Sequence, residues 1–260
     1  MFSVVLPCFN ESRYGYLPKI LENLCQQAGD KQIIAVVSPS SDDTLTIVRQ
    51  FPVDVIEIAA SNRAQRLTAG IEASRGDIVL LHHPATLLPE GDALIQAEAA
   101  LTAAGAVWGG FTHSFDLDHW LLRFTSWYST TQRSQRQRIL YLDHCIFARR
   151  QVLMSLGGVP DMDIFEDTAL SLALGKWGKP AIASGKVVTS ARRFQSRGIY
   201  RQALTNQLLK VMYHAKLDPK RLNWLYEGKS QINVSYPVNH SEATEHRDAA
   251  YTESPEVEQH

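Results

Sequence analysis

Ser3-Val4-Val5-Leu6-Pro7-Cys8-Phe9-Asn10-Glu11 is the stretch that decides the fold of this chain. Phe2 to Leu6 is a mostly apolar run of the buried-strand type, and Pro7 ends it ahead of a polar loop. Downstream, Leu17, Ile20, Leu21, Leu24 and Cys25 recur at helical spacing. Ile33 to Val37 is the next strand, followed by Ser40-Ser41-Asp42-Asp43, a turn built of helix-capping residues. A helix runs from there through Phe51. Val53 to Ile58 is a third strand, Arg63 to Ser74 a helix and Ile78 to Leu81 a fourth strand. Glu90 to Ala104 is an alanine-rich helix and Ala106 to Phe111 a fifth strand.

This alternation predicts an α/β fold: a Rossmann-like, mostly parallel sheet with helices on both faces. Ligands of such sheets bind beyond the carboxyl ends of the strands. Those ends are Pro7–Glu11, Ser38–Asp43, Ala59–Arg63 and His82–Thr86. The second half is less regular. Leu121, Phe124, Trp127 and Tyr128 place a helix over Leu117–Thr131, and Asp167–Trp177 is a helix ended by Gly178 and Pro180. Val187–Ala191 is a short strand, and Leu204–Ala215 and Pro219–Tyr226 are closing helices. Residues 1–227 are expected to form the domain, and 228–260 a disordered acidic tail.

Composition narrows the function. The 260 residues are 45% hydrophobic and 20% charged, which is globular composition. The net charge of −1 hides two unlike parts. Residues 229–260 carry six acids against Lys229 and Arg247, while residues 1–228 carry a net +3. Near-neutrality excludes a general nucleic-acid binder. Cys8, Cys25 and Cys145 form no disulfide framework, so a reducing, cytoplasmic setting is expected. Met1–Leu6 lacks the basic flank of a leader, and the longest uncharged stretch, Ala99–Phe115, is broken by glycines and polar residues. Any membrane role would be peripheral; Arg133, Arg136 and Arg138 read as a solvated loop, and three charges are thin support for the alternative, a membrane-surface contact. No GxGxxG, HExxH or GxSxG occurs, and Gly228-Lys229-Ser230 lacks the first glycine of a P-loop, because position 223 is Asn223.

The opening stretch resembles that of family 2 glycosyltransferases, in which the first strand runs into a Pro-x-x-Asn-Glu loop beside the nucleotide. Further landmarks follow in the family's order. Val37 to Thr44 looks like its second-strand loop, and Asn62-Arg63-Ala64-Gln65-Arg66 like the helix before the fourth strand. Gly76 to Pro89 looks like the strand leading to the metal motif. Gly157-Gly158-Val159-Pro160 with Phe165-Glu166-Asp167 looks like the acceptor-side element. Thr189 to Phe194 resembles a segment of the bacterial radical-SAM/selenodomain-associated subgroup. The resemblance covers about residues 2–227. It implies a GT-A fold and inverting transfer of a sugar from a nucleotide-diphosphate donor to a glycan, lipid or small-molecule acceptor.

Two departures concern the donor site. Ser38 stands where the family has an Asp that contacts the base, and His83-Pro84-Ala85 stands where the subgroup has His-Ala-Asp. Thr68 also replaces the subgroup's usual Asn. A Mg²⁺ or Mn²⁺ ion is thus implied only weakly, through His83, since hard cations prefer carboxylate oxygens. These losses leave a second expectation open: a degenerate GT-A protein serving as a nucleotide-sugar binding or regulatory module.

Sugar transfer needs a base for the acceptor hydroxyl and positive charge for the leaving diphosphate. Asp167 is the candidate base, with Glu166 beside it; a carboxylate pair complementing a helix dipole is the alternative. The donor-side candidates are Pro7, Asn10, Glu11, Ser38, Arg63, Gln65, Arg192 and Arg193, and Arg66 more weakly. Asp42 and Asp43 read either as helix caps or as displaced carboxylates. On the acceptor side stand Gly158, Asp143 and His144, the last two where the subgroup has Asp-Gln. The stripe Trp120, Phe124, Trp127 and Tyr128 reads as core packing, with a sugar or lipid platform as the alternative.

Overall fold

The computed structural model describes residues 1–12, 15–227 and 234. Its strands are β1 (Phe2–Cys8), β2 (Lys31–Val37), β3 (Asp54–Glu57), β4 (Ile78–Leu81), β5 (Thr86–Leu87), β6 (Trp108–Phe115), β7 (Phe147–Arg149) and β8 (Ala181–Thr189). The first five helices are α1 (Tyr16–Cys25), α2 (Thr44–Val48), α3 (Arg63–Ala73), α4 (Ala93–Ala104) and α5 (Trp120–Trp127). The rest are α6 (Arg150–Ser155), α7 (Glu166–Leu174), α8 (Arg192–Arg197), α9 (Ile199–His214) and α10 (Pro219–Glu227). All strands join one sheet in the order β3-β2-β1-β4-β7-β6-β8-β5.

Strand β1 sits between β2 and β4, all parallel, as the alternating apolar runs require. Its side chains feed both faces: Val4, Leu6 and Cys8 join the core under α1 and α4, and Val5 joins the core under α3. Burial on both faces is why the strand reads as a continuous apolar run. Pro7 lies beyond the last β1–β4 pair, Val5↔Leu81, where a strand can do without an N–H.

The second half departs from expectation in several places. Strand β7 is inserted antiparallel between β4 and β6, so the sheet is mixed beyond its parallel half. Strand β8 starts at Ala181, six residues before the expected Val187. The register slips between Phe111↔Ala183 and Thr112↔Lys186, and this bulge around Ser184-Gly185 breaks the apolar alternation. The helix expected over 117–131 is α-helical only to Trp127 and widens into a π-turn over Tyr128–Gln137. Thr125 and Thr131 hydroxyls donate to carbonyls four residues back at 2.7 Å each, and Ser134 does the same. Such back-bonding bends helices. The aromatic stripe is not core: Trp120, Phe124 and Trp127 are each more than half exposed, and Leu122 and Ser126 face inward instead. Arg133 is no solvated loop residue either, being buried against the rings of Tyr128 and Tyr141. Apart from Val234, which is buried, the acidic tail falls outside the described residues.

Gly109 sits at a close approach within the sheet. A Cβ there would lie 2.2 Å from the Ala181 carbonyl oxygen and 2.8 Å from the Phe147 ring. The backbone oxygen cannot move without breaking the β6–β8 ladder. Gly109→Ala is therefore expected to cost about 1–3 kcal/mol, read as a lowered urea midpoint; an unchanged midpoint would show that the strands can separate.

Candidate active site

The carboxyl ends of β1, β4 and β6 face α5, α7, α8 and α9 across a cavity of about 260 Å³. Phe165, left-handed at φ 65°, starts α7 so that Glu166 and Asp167 occupy its first turn. That end of a helix favours carboxylates. Glu166 turns inward and is 1% exposed. Its Oε1 accepts the Arg63 Nε–H at 2.5 Å. Asp167 lines the cavity. Its Oδ2 accepts the Leu142 N–H at 3.0 Å, and its Oδ1 accepts the Thr168 N–H at 2.6 Å. Burial, then the neighbouring Glu166 charge, pushes the Asp167 carboxyl up to about 6, against the opposing pull of Arg63.

Arg63 is placed by the start of α3. Asn62 caps this helix by accepting the Gln65 N–H at 3.0 Å, while its amide donates to Asp161 at 2.7 Å and to Asp163 at 3.2 Å. Gln65 adds a 3.1 Å bond to Asp161. Gln65 thus fastens α3 to the loop before α7 and does not line the cavity. Burial would lower the Arg63 pKa, but the Glu166 and Asp167 carboxylates outweigh it and hold the guanidinium above its ordinary value.

Arg192 and Arg193 open α8 on another wall. Arg192 Nη2 lies 3.9 Å from Glu11 Oε2, and its guanidinium stands over the Tyr16 ring. Arg193 stands over Tyr226. A third group surrounds Asp143. Its Oδ2 lies 3.4 Å from His113 Nε2, and its Oδ1 lies 3.9 Å from His144 Nε2. Burial opposes ionisation of Asp143, but His113, His144, His83 and Lys210 hold its pKa below the usual value. His144 does not reach the cavity lining; its Nδ1 faces the Phe111 carbonyl at 2.9 Å and its Nε2 faces the Ser129 hydroxyl at 2.8 Å. Lys210 enters from α9 over the Tyr141 ring, its pKa pushed down to about 8 by burial and then by Arg133.

Several expected site residues serve the scaffold. Asn10, left-handed at φ 53°, accepts the Ser41 N–H at 2.8 Å and so ties the β1 loop to the β2 loop. Asp42 fixes the same junction through Ser12 and Thr44, whereas Asp43 makes no side-chain cap bond. Pro7 and Ser38 are buried away from the cavity. The Ser38 hydroxyl donates to the Ala60 carbonyl and accepts from Arg66 Nη1, both at 3.2 Å. Arg66 is 2% exposed beneath the Phe9 ring and is no cavity-facing cation. Gly158, at φ +90°, packs against Thr68, where a Cβ would lie 2.6 Å from Cγ2. It shapes the loop after α6 without lining the cavity.

The chain matches the model of Glycosyl transferase family 2 over residues 3–157, more than half its length. The chain belongs to glycosyl transferase family 2. No curated protein matches it. Among solved structures it resembles mannosyltransferase PcManGT from Pyrobaculum calidifontis, in complex with GDP-Man and Mn²⁺. That match has a TM-score of 0.63 at 17% identity, covering 96% of this chain and 81% of that one. It also resembles S. aureus TarS 1–349 in complex with UDP-GlcNAc, with a TM-score of 0.58 at 14% identity, covering 87% of this chain and 70% of that one. The chain spans only 42% of the longer TarS structure. These likenesses show the GT-A fold.

Against that family, the donor set at the β4 end is poor for a metal. His83 Nδ1 accepts the Ala85 N–H at 3.2 Å, which leaves the neutral ring's proton on Nε2, the atom a cation would need. Burial, then Arg63, holds the His83 pKa well below its usual value. Ala85 offers no oxygen ligand from its side chain. Among the described residues no group of three His, Cys, Asp or Glu side chains is placed to hold a metal ion. The residues present do not fit a hard cation.

His113, Tyr141 and Lys210 are cavity residues that the sequence did not single out. His113 was within reach of the strand-end rule, because β6 continues past Phe111 to Phe115. Tyr141 opens the Tyr141-Leu142-Asp143-His144 stretch that resembles the subgroup's Tyr-Gly-Asp-Gln, whereas Lys210 carried no local signal.

Proposed function

We propose that this family member transfers a sugar from a nucleoside-diphosphate donor to an acceptor hydroxyl in one inverting displacement. The observation that carries this reading is the convergence of Asp167, Arg63 and Arg192 on one cavity. The acceptor oxygen attacks the anomeric carbon as its proton passes to Asp167. The bond from that carbon to the diphosphate oxygen breaks, and its electron pair leaves with the nucleoside diphosphate. A carboxylate raised to about 6 is a stronger base than free aspartate and is still ionised at pH 7. Arg63, Arg192 and Arg193 would meet the growing phosphate charge with guanidinium forks, and His83 Nε2–H would add a donor. The nucleotide sugars bound by TarS and PcManGT support the donor class.

In this reading Glu11 borders the donor directly, while Pro7, Asn10, Ser38 and Gln65 shape its loops from behind. Asp143 faces the acceptor, with His144 and Gly158 behind it. Arginine replaces the metal that the family norm would place at position 85. The catalytic unit would be 1–227, working in the cytoplasm. A binding module without turnover is the second reading, favoured by Ala85 and by the engagement of Ser38 with Arg66.

Calorimetric titration with UDP-, GDP- and dTDP-sugars, with Mn²⁺ or with EDTA, tests this. One donor class is expected to bind with the same affinity in both conditions and to release nucleoside diphosphate. Binding without release would favour the second reading. An affinity that collapses in EDTA would overturn the metal-independent site, and silence across the panel would overturn both readings.

A further inference from the structure

We infer that the outer faces of α5, α9 and α10 dock this protein onto an anionic lipid bilayer. On α5, Trp120, Phe124 and Trp127 recur at four- and three-residue spacing, so they share one side of the helix. On α9, Tyr200, Leu204, Leu208 and Val211 follow the same rule. All seven are more than half exposed. The two stripes meet where Trp120 Nε1 donates to the Tyr200 hydroxyl at 3.2 Å. Exposed Trp224 and Leu225 lie on α10, which packs beside α9.

Contiguous large apolar side chains on a protein surface mark a contact site. Charge identifies what covers this one. Residues 120–137 hold three arginines and no acid, and residues 192–227 hold eight Lys/Arg against Asp218 and Glu227. Residues 1–228 total only +3, so the rest of the body is acidic and the cationic excess sits in the segments that bear the stripes. Arg133, Lys210, Arg192 and Arg193 from these segments face the cavity. Arg136, Arg201, Lys216, Lys220 and Arg221 are exposed, and Arg123 pairs with Asp118 at 3.0 Å on the surface.

Tryptophan and tyrosine favour the headgroup region, and Lys/Arg around an apolar face matches phosphate above acyl chains. A second copy of this chain would set the same cations against each other. Among the described residues no helix is long and apolar enough to cross a membrane, so the contact lies in the bilayer plane. The inner sides of the same helices supply Thr125, Asn206, Leu209 and Lys210 to the cavity. Docking would bring the cavity within about one helix diameter, roughly 10 Å, of the headgroups.

The test is sedimentation of the full chain with vesicles of phosphatidylcholine alone or with one-third phosphatidylglycerol, at low and high salt. The protein is expected to sediment with the phosphatidylglycerol vesicles, less so at high salt and least with phosphatidylcholine alone. The double variant Trp120→Ser, Leu204→Ser is expected to fold, by circular dichroism, and to lose at least about tenfold in partition coefficient. Protein that stays in the supernatant, or binding indifferent to the double variant, overturns the inference. So does a solution dimer that the double variant dissolves without any vesicle binding. Donor binding is measured without lipid, so neither result decides the other.

Discussion

Asp167→Asn is expected to lower the transfer rate by roughly 10²–10⁴-fold, the span attributed to a general base, with donor affinity little changed. In the unaltered protein the rate should fall below about pH 6, tenfold per pH unit, as Asp167 takes up a proton. The asparagine variant should lose that acid limb along with the rate. The substitution is not silent for the fold. Both carboxylate oxygens accept backbone N–H groups, from Leu142 and Thr168, so an amide must turn its NH₂ toward one of them. A modest drop in thermal stability should accompany it. The pH dependence of stability has a definite sign. The folded protein holds the Asp167 proton more tightly than the unfolded chain, so ionisation between about pH 4 and 6 withdraws stability as pH rises. A variant that keeps wild-type turnover would remove Asp167 from the chemistry and return the Glu166–Asp167 pair to helix-dipole duty.

Arg63→Met should produce the largest stability loss in the site. Glu166 is 1% exposed, Arg63 Nε is bonded to its Oε1, and its Oε2 has no hydrogen-bond partner among the described residues. Removing one partner of a buried ion pair typically costs about 3–5 kcal/mol, because the other charge stays desolvated. Urea denaturation reads the loss, and adding Glu166→Gln to Arg63→Met should recover much of it. A loss below about 1 kcal/mol would mean that water already reaches Glu166. The same change should move the acid limb upward, since Arg63 pulls the Asp167 pKa down while Glu166 pushes it up.

How far the sequence reached depends on whether a feature is local. The strand-end loops after β1, β2 and β4 were readable because each is an apolar run stopped by turn chemistry. Their side-chain duties were not. Asn10 and Ser38 stand in the expected loops and Gln65 on the expected helix, but each bonds a loop that only the fold brings near. Helical spacing correctly put Trp120, Phe124 and Trp127 on one face, yet spacing cannot say which face meets the core. Strand β8 was shortened because the Gly185 bulge interrupts alternation, and β7 was missed because its three residues carry no period. Lys210 reaches the cavity through the packing of α9, a contact 43 residues along the chain from the Asp167 it faces across that space.

The Arg66–Ser38 contact limits what position 38 can become. A carboxylate installed at position 38 would sit within reach of a buried guanidinium whose pKa burial, then Arg63, has already drawn down to about 10. The arginine would capture the new acid as an internal ion pair before any nucleobase met it. Position 38 is therefore already occupied in the electrostatic sense. A carboxylate meant to face outward from position 38 would first require a change one layer deeper, at residue 66.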